Sequence, residues 1–367
     1  MKILYFLKYF DTPMFQWQKI HIFDELAKHN VQIELFNPLD YPHGMEANER
    51  LIQRVRKGNV DLLMTTATHE DLFIDTIKQI KQEGVPTLLF CPDNLTIPFA
   101  HKKIAPYFDL VWLTSIETQY LFDKWGVNSI FLPYAANPSL YYPQTHEIQK
   151  VVFIGSPYGS RCKMINNLLE GNINVDLYHG GRTSNSTKSG SVNMKNTLKE
   201  KFRLIHNILD MLSYPIGRRL ATASLKNKLM KMSVLDENNA YLCHYPGLPF
   251  NEMMGKYNSY GLSLSSITNR HTGVLKNPVP VLNLRNFEIA TAGGILFSLF
   301  TPELNSYFED GKEAIYYHAD EEMVDKARFY LADEQYMVRQ KIKTAARNKA
   351  IHEHAWINRF SVLFDRL

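Results

Sequence analysis

The 367 residues contain only three cysteines, Cys91, Cys162 and Cys243. They are odd in number, widely separated and outside any metal-ligand spacing. This excludes a disulfide framework and a zinc module, and it fits a reducing cytoplasm. No stretch reaches the roughly 18 apolar residues that cross a bilayer. The opening MKILYFLKYFDTPMF lacks the long apolar core and small-residue cleavage site of a secretory leader, and reads as a first buried strand. No two aspartates stand one residue apart, and no histidine pair at helical spacing has an acidic partner. Both absences argue against a metal cofactor. The G-x-G-x-x-G phosphate fingerprint is missing. No unit of about 20–50 residues repeats beyond two similar halves. No recognised nucleic-acid-binding motif occurs, so nucleic acid is a poor candidate partner.

What is present is globular sequence, with 45% hydrophobic and 21% charged residues, which excludes a disordered chain. The length exceeds what one core usually serves, so two domains are expected. In the first 145 residues, short apolar runs (KILYFL, VQIELF, DLLMT, PTLLF, DLVWLT, SIFLP) alternate with helical patterns at 17–29, 48–57, 69–83 and 116–125. Continuous apolar strands separated by helices predict a parallel sheet covered on both faces. AANPSLYYPQTHEIQK, with its prolines at 138 and 143, reads as a linker. The alternation restarts at VVFIG and continues through VDLY, YLCHY, GLSLS, GILF and AIYY. Helices are expected at 251–257, 287–292, 302–308 and 321–331, the third starting on a Thr301 cap with Pro302 behind it. The fold class is therefore α/β, with domains at 1–145 and 146–350 and a final helix over 351–367. Two parallel sheets in series imply a ligand-binding cleft at their C-terminal strand edges.

The net charge of +4 conceals an uneven distribution. Residues 181–232 hold eleven Lys and Arg against Glu200 and Asp210, a local +9, so the rest of the chain sums to −5. This insertion (182–232) opens with RTSNSTKSGSVN, read as a mobile loop. It continues with apolar residues such as Phe202, Leu204, Ile205, Leu209, Leu225 and Met230 among the cations. Such a segment, over 196–232, either lies on the anionic inner face of a membrane or packs on protein.

The stretch LNLRNFEIATAGGILFSLFTPELNSYFEDGKEAIYY, residues 282–317, carries R-x-F-E, then G-G, T-P-E-L and F-x-x-G-K-E. FIGSPYGSR (153–161), PFNEMMGKYNSYGLSLS (249–265) and HAWINRF (354–360) accompany it. In this order the motifs resemble glycosyltransferase family 4, and more closely the spore-maturation-protein type of GT-B glycosyltransferases. The resemblance implies two Rossmann-like domains facing a central cleft, with the last helix crossing back to the first domain. It also implies a nucleotide-sugar donor, retention of anomeric configuration and a soluble enzyme of cell-surface glycan synthesis. The acceptor would be a glycan, a lipid-linked molecule or a protein.

By that resemblance Glu288 holds the donor ribose, a task suited to a carboxylate accepting two hydroxyl hydrogen bonds. The alternative is a first-turn carboxylate that only complements the helix dipole. Arg285 offers a planar fork to the leaving diphosphate, or else pairs structurally with an acid. Gly155, Ser156 and Arg161 lie between a strand and a helix, where backbone amides and a cation can meet phosphate. Gly293 is either a point of close ligand approach or a packing glycine. In the first domain, Asp93 and His69 follow apolar strands and are candidates for taking the acceptor proton. Asp11 and Asn94 share that edge, and a turn at 93–94 with a helix start at 69 is the plainer account. Two departures stand out: Pro280 replaces a family glutamate eight places before Glu288, and KYFDTPMFQ replaces a glycine-rich loop. They leave the donor sugar and the stereochemical outcome open. A sugar-nucleotide 2-epimerase is another enzyme class on the implied fold, and Pro280 favours a third reading, a protein that binds a nucleotide-sugar without turning it over.

Overall fold

The computed structural model describes residues 1–180, 206–229, 233–269 and 272–367. The serine-rich start of the insertion and Phe202, Leu204, Ile205 and Met230 lie outside these residues. The chain divides into two compact units, Met1–Ser139 with Glu353–Leu367, and Leu140–His352.

Unit 1 is a six-stranded parallel sheet of β1 (Lys2–Phe6), β2 (Gln32–Phe36), β3 (Leu62–Thr65), β4 (Thr87–Cys91), β5 (Leu110–Leu113) and β6 (Ser129–Phe131). Its order is β2-β1-β3-β4-β5-β6. Every residue of β3, β4 and β5 is buried, as expected of parallel strands covered on both faces. The helices are α1 (Pro13–Gln18), α2 (Asp24–Lys28), α3 (Gly44–Arg56), α4 (Ile74–Gln82) and α5 (Gln119–Lys124). The helix read at 17–29 begins earlier. Thr12 caps it and Pro13 opens it, and a π-helical turn over Lys19–Phe23 separates α1 from α2. The helix read at 69–83 begins later, because 66–73 is an irregular loop.

Unit 2 repeats the scheme with β7 (Ile148–Ile154), β8 (Val175–His179), β9 (Leu242–Pro246), β10 (Tyr260–Ser265), β11 (Leu296–Leu299) and β12 (Ile315–Tyr317). They are parallel and ordered β12-β11-β10-β7-β8-β9. Phe153, Leu177, Leu262, Phe297 and Ile315 are fully buried between the covering helices. Those helices are α6 (Ser160–Glu170), α7 (Pro215–Leu229), α8 (Phe250–Ser259), α9 (Leu284–Thr291), α10 (Pro302–Tyr307), α11 (Asp320–Leu331) and α12 (Tyr336–Glu353). Thr301 caps α10 as its sequence foretells, accepting from the Leu304 amide at 3.1 Å.

The expected single helix over 351–367 is two helices. α12 ends at Glu353, and α13 (Trp356–Phe364) starts anew after Ala355. Within unit 1, Trp356 meets Trp17 and Trp112 edge-on, with ring centroids 5.8 and 6.1 Å apart. Glu25 of α2, 1% exposed, accepts the first amides of α13, from Ile357 at 3.0 Å and Trp356 at 3.1 Å. Burial nonetheless pushes its carboxyl up from 4.5 to about 7, with the two amides pulling the other way. A carboxyl with a raised folded pKa binds more protons folded than unfolded, so its contribution to stability falls as pH rises between the two values. Unit 1 should therefore lose stability through Glu25 as pH climbs from about 4.5 to 7. Glu25→Gln should flatten that part of a melting-temperature profile.

Candidate functional site

In unit 2 the chain order reverses direction between β7 and β10. Open α/β sheets bind ligands outside the carboxyl ends of the strands at such a switch point. β7 leads there into Gly155, whose φ of +136° suits only glycine. β10 ends on buried Ser265 and Ser266. The start of α9 is bolted to that end: Asn283 Nδ2 donates to the Ser266 carbonyl at 2.9 Å, and Asn286 Nδ2 to Ser265 Oγ at 3.3 Å. Asn286 Oδ1 in turn accepts the Asn283 amide at 2.9 Å. Two asparagines thus fix the helix that carries Arg285 and Glu288.

Arg285 sits in the first turn of α9. A Cβ built on Gly155 would lie 2.7 Å from its Nη2, so the guanidinium occupies the space that the glycine leaves open. The group also lies over the Phe153 ring, 5.3 Å from its centroid, and its buried Nε has no hydrogen-bond partner among the described residues. Arg161, inside α6, stacks on Tyr158 at 4.4 Å and lies 5.8 Å from Phe153, while its Nη1 donates to the Ser156 carbonyl at 3.2 Å. Two guanidinium groups therefore gather around one aromatic ring at the end of β7. α6 begins behind Gly159, a positive-φ residue with no side chain to cap the first amides. An anion beside those amides would complete the helix.

Glu288 is 4% exposed and is the fifth residue of α9. That is past the first turn, where a helix dipole acts, so a dipole role does not account for it. Nearby is Tyr257 of α8, a residue the sequence reading passed over as a helix end. Its phenol is fully buried, and burial pushes its pKa up, against the pull of Arg285 and Arg161 and with a push from Glu288. Among the described residues no partner meets hydrogen-bond geometry at the hydroxyl, although the Arg285 side chain lies within interaction range of it. A buried hydroxyl without a partner costs about 1–3 kcal/mol. Tyr257→Phe should leave the melting temperature unchanged or higher, and a clear drop would show a bond that forms only in solution.

Other motif residues serve the scaffold. Gly293, a candidate above for close ligand approach or for packing, lies past the opposite end of α9, on the order of 12 Å along the axis from Arg285. Its φ is +73°, its amide bonds to the Ala290 carbonyl at 2.9 Å, and its neighbours are Asn258, Tyr141 and Arg347. It caps the helix away from the Arg285 cluster. Glu313 of F-x-x-G-K-E accepts the Glu309 amide at 2.9 Å and pairs with Lys349 at 3.0 Å, closing a turn that Gly311 makes at φ +72°. Pro280 is exposed, on a loop bridged antiparallel to Thr268.

In unit 1, Asp93 follows β4, with His101 and Tyr134 in its electrostatic reach; burial raises its carboxyl and lowers the His101 imidazole. His101, not singled out by its sequence context, binds the Thr66 carbonyl through Nε2 at 3.1 Å. Asn94 is a structural clamp: its side chain bonds to Thr118 Oγ1 at 2.7 Å, to the Ser115 carbonyl at 2.6 Å and to the Thr114 amide at 2.9 Å. His69 starts no helix. It lies in the loop after β3 and lines a hollow with Met45, Ile52 and Phe73. Asp11 is exposed and accepts from Gln16. Among the described residues, no three of His, Cys, Asp and Glu gather as a metal-ligand set.

Two all-parallel six-stranded α/β units, the second with the strand reversal of a dinucleotide fold, define the GT-B architecture of glycosyltransferases. Residues 235–365, which include Tyr257, Arg285 and Glu288, match the family model described as glycosyl transferase-like. The chain thus has the GT-B fold, and its residues 235–365 are similar to the glycosyl transferase-like family. The crystal structure of Anabaena HepE in complex with UDP and glucose is similar over 100% of both chains, with 13% identity and a TM-score of 0.56. A glycosyltransferase from Rickettsia africae matches at 10% identity and a TM-score of 0.55, covering 99% of this chain and 97% of its own. Sucrose-phosphate synthase from Thermosynechococcus elongatus matches at 10% identity and a TM-score of 0.53, covering 100% and 98%. No curated protein matches the chain in sequence.

Proposed function

We propose that the protein transfers a hexose from a nucleotide-sugar to a glycan, lipid-linked or protein acceptor, in bacterial cell-surface glycan synthesis. The observation that carries this reading is the packing of the Arg285 guanidinium into the space above Gly155, with buried Glu288 one turn along the same helix. A nucleotide-sugar presents a ribose diol, a diphosphate and a glycosidic bond. Glu288 would accept the two ribose hydroxyls, charge strengthening both bonds. Arg285, Arg161 and the amides from Gly155 and Ser156 to the start of α6 would face the diphosphate. As the glycosidic bond breaks, the leaving diphosphate gains negative charge, and fixed cations and amides stabilise it most in the transition state. On this reading the reaction needs no divalent metal, because the two guanidinium groups supply the positive charge. Retention of anomeric configuration rests on the family resemblance.

On the acceptor side, burial raises the Asp93 carboxyl, which makes its carboxylate a stronger base, and with His101 in its reach it is the first candidate to take a hydroxyl proton. His69 remains the second candidate. The site of action would be the cytoplasm, beside the inner face of the membrane.

HepE has also been crystallised in complex with UDP-glucose, which makes a UDP-hexose the first donor to try. A thermal-shift panel of UDP, GDP, ADP, dTDP and CMP tests the reading. A nucleotide at 100 times its dissociation constant adds about 2.7 kcal/mol of stability. One nucleoside diphosphate should raise the melting temperature and the others should not. A flat response to all five contradicts the proposal.

A further inference from the structure

The described part of the basic insertion presents a face of exposed apolar side chains. Ile208, Leu209 and Leu212 are 42, 60 and 43% exposed, and Leu225 and Leu229 of α7 are 61 and 79% exposed. Apolar side chains gain free energy on leaving water, so a cluster left exposed calls for a partner.

α7 is apolar on two opposite sides. Ile216 and Ala223 are buried on the inward side, and Arg219 ties the helix to the body through the Asn277 carbonyl. At about 100° per residue, Arg218, Thr222, Leu225 and Leu229 fall in one outward stripe, with Lys226 and Lys228 on its two flanks. Among the described residues, Arg218, Lys226 and Lys228 pair with no carboxylate, and the acid within 206–229, Asp210, lies 3.5 Å from His206. At Gly217 a Cβ would lie 1.8 Å from the Met211 carbonyl oxygen. Glycine there lets the helical segment 206–212, which carries Ile208, Leu209 and Leu212, close tightly onto the start of α7.

Leucines flanked by lysines, on an insertion of net charge +9, match a surface that is apolar beneath and anionic above. A protein groove would match the leucines but gives no reason for the unpaired cations. We infer that the outward face of α7 and the helical segment 206–212 before it dock on an anionic lipid surface. The leucines enter the boundary between headgroups and acyl chains, and Arg218, Lys226 and Lys228 meet lipid phosphates. Among the described residues no helix is long and apolar enough to cross a membrane, so the contact lies in the surface plane. The inference needs no nucleotide and stands apart from the sugar-transfer reading.

Co-sedimentation of the full chain with phosphatidylglycerol-rich and with pure phosphatidylcholine vesicles tests it. Two double variants, Leu225→Ser with Leu229→Ser and Lys226→Glu with Lys228→Glu, accompany the wild type. Melting temperatures serve as the folding control, since all four positions are exposed. The wild type should partition onto the anionic vesicles, less so as salt rises, and each double variant should bind at least about tenfold more weakly. No preference for anionic vesicles, or equal partitioning of wild type and both variants, overturns the inference. If light scattering instead shows the leucine variant losing self-association with vesicle binding unchanged, the face belongs to a second copy and the lipid assignment is wrong.

Discussion

Replacing Glu288 by alanine is expected to abolish nucleotide binding while the fold survives. A hydrogen bond to a charged group contributes about 1.5–3 kcal/mol, and the carboxylate is assigned two of them, to the ribose diol. Losing both weakens binding by at least about 100-fold, since each 1.4 kcal/mol is tenfold. A ligand shift seen with the wild type should then vanish at the same nucleotide concentration. Glu288→Gln keeps the volume and one acceptor oxygen but loses the charge, so it should fall between the two. A structural role predicts a different pattern. The alanine variant would melt early, while its remaining folded fraction would bind nucleotide as the wild type does. Reading affinity and melting temperature on the same samples separates these outcomes.

The second large effect is expected from Glu147. Its carboxylate is 7% exposed and takes Arg339 Nε at 2.7 Å, Lys343 Nζ at 2.6 Å and Gln340 Nε2 at 3.0 Å. Arg339 is wholly buried and also donates to the Tyr330 and Ala332 carbonyls, at 2.5 and 2.8 Å. Burial lowers the Lys343 pKa and Glu147 pulls it back up. The trio pins α12 to the segment leading into β7. Glu147→Ala would leave two buried cations without their counter-charge, and breaking a buried pair in this way costs about 3–5 kcal/mol. Urea denaturation should show unit 2 unfolding at markedly lower denaturant. Replacing all three charged residues by apolar ones of similar volume should recover much of the loss. A shift within about 0.5 kcal/mol of wild type would mean that water reaches the network.

That network also explains the main element the sequence concealed. α12 reads YMVRQKIKTAARNKAIHE, and its buried positions include Arg339 and Lys343. A helix that buries charge against a distant glutamate has no apolar stripe to read, so periodicity passes over it. The strands were legible for the opposite reason. β3, β4, β5 and β10 are short, uniformly buried runs, and such runs stand out wherever both faces of a parallel sheet are covered. The start of α10 was legible because a threonine cap and a proline act locally.

The candidate site was legible in part. Arg285, Glu288, Gly155, Ser156 and Arg161 gather at one strand end because β7 and β10 are neighbours, a fact of topology that spacing alone does not hold. Gly293 shares their motif but is carried away by the length of α9. Tyr257 and His101 were missed because a tyrosine in an apolar helix and a histidine in a short turn carry no local mark. Their meaning comes from what burial places beside them. Asn94 shows the converse, a polar residue at the expected strand edge whose hydrogen bonds are all spent on holding a loop.

The most direct measurement is a crystal structure grown with the nucleoside diphosphate that gives the thermal shift. The account predicts the ribose hydroxyls on the Glu288 carboxylate, the phosphates against Arg285 and the Gly155–Ser156 amides, and the sugar end open to solvent or acceptor. Nucleotide bound elsewhere on the chain, with Glu288 and Arg285 untouched, would contradict it.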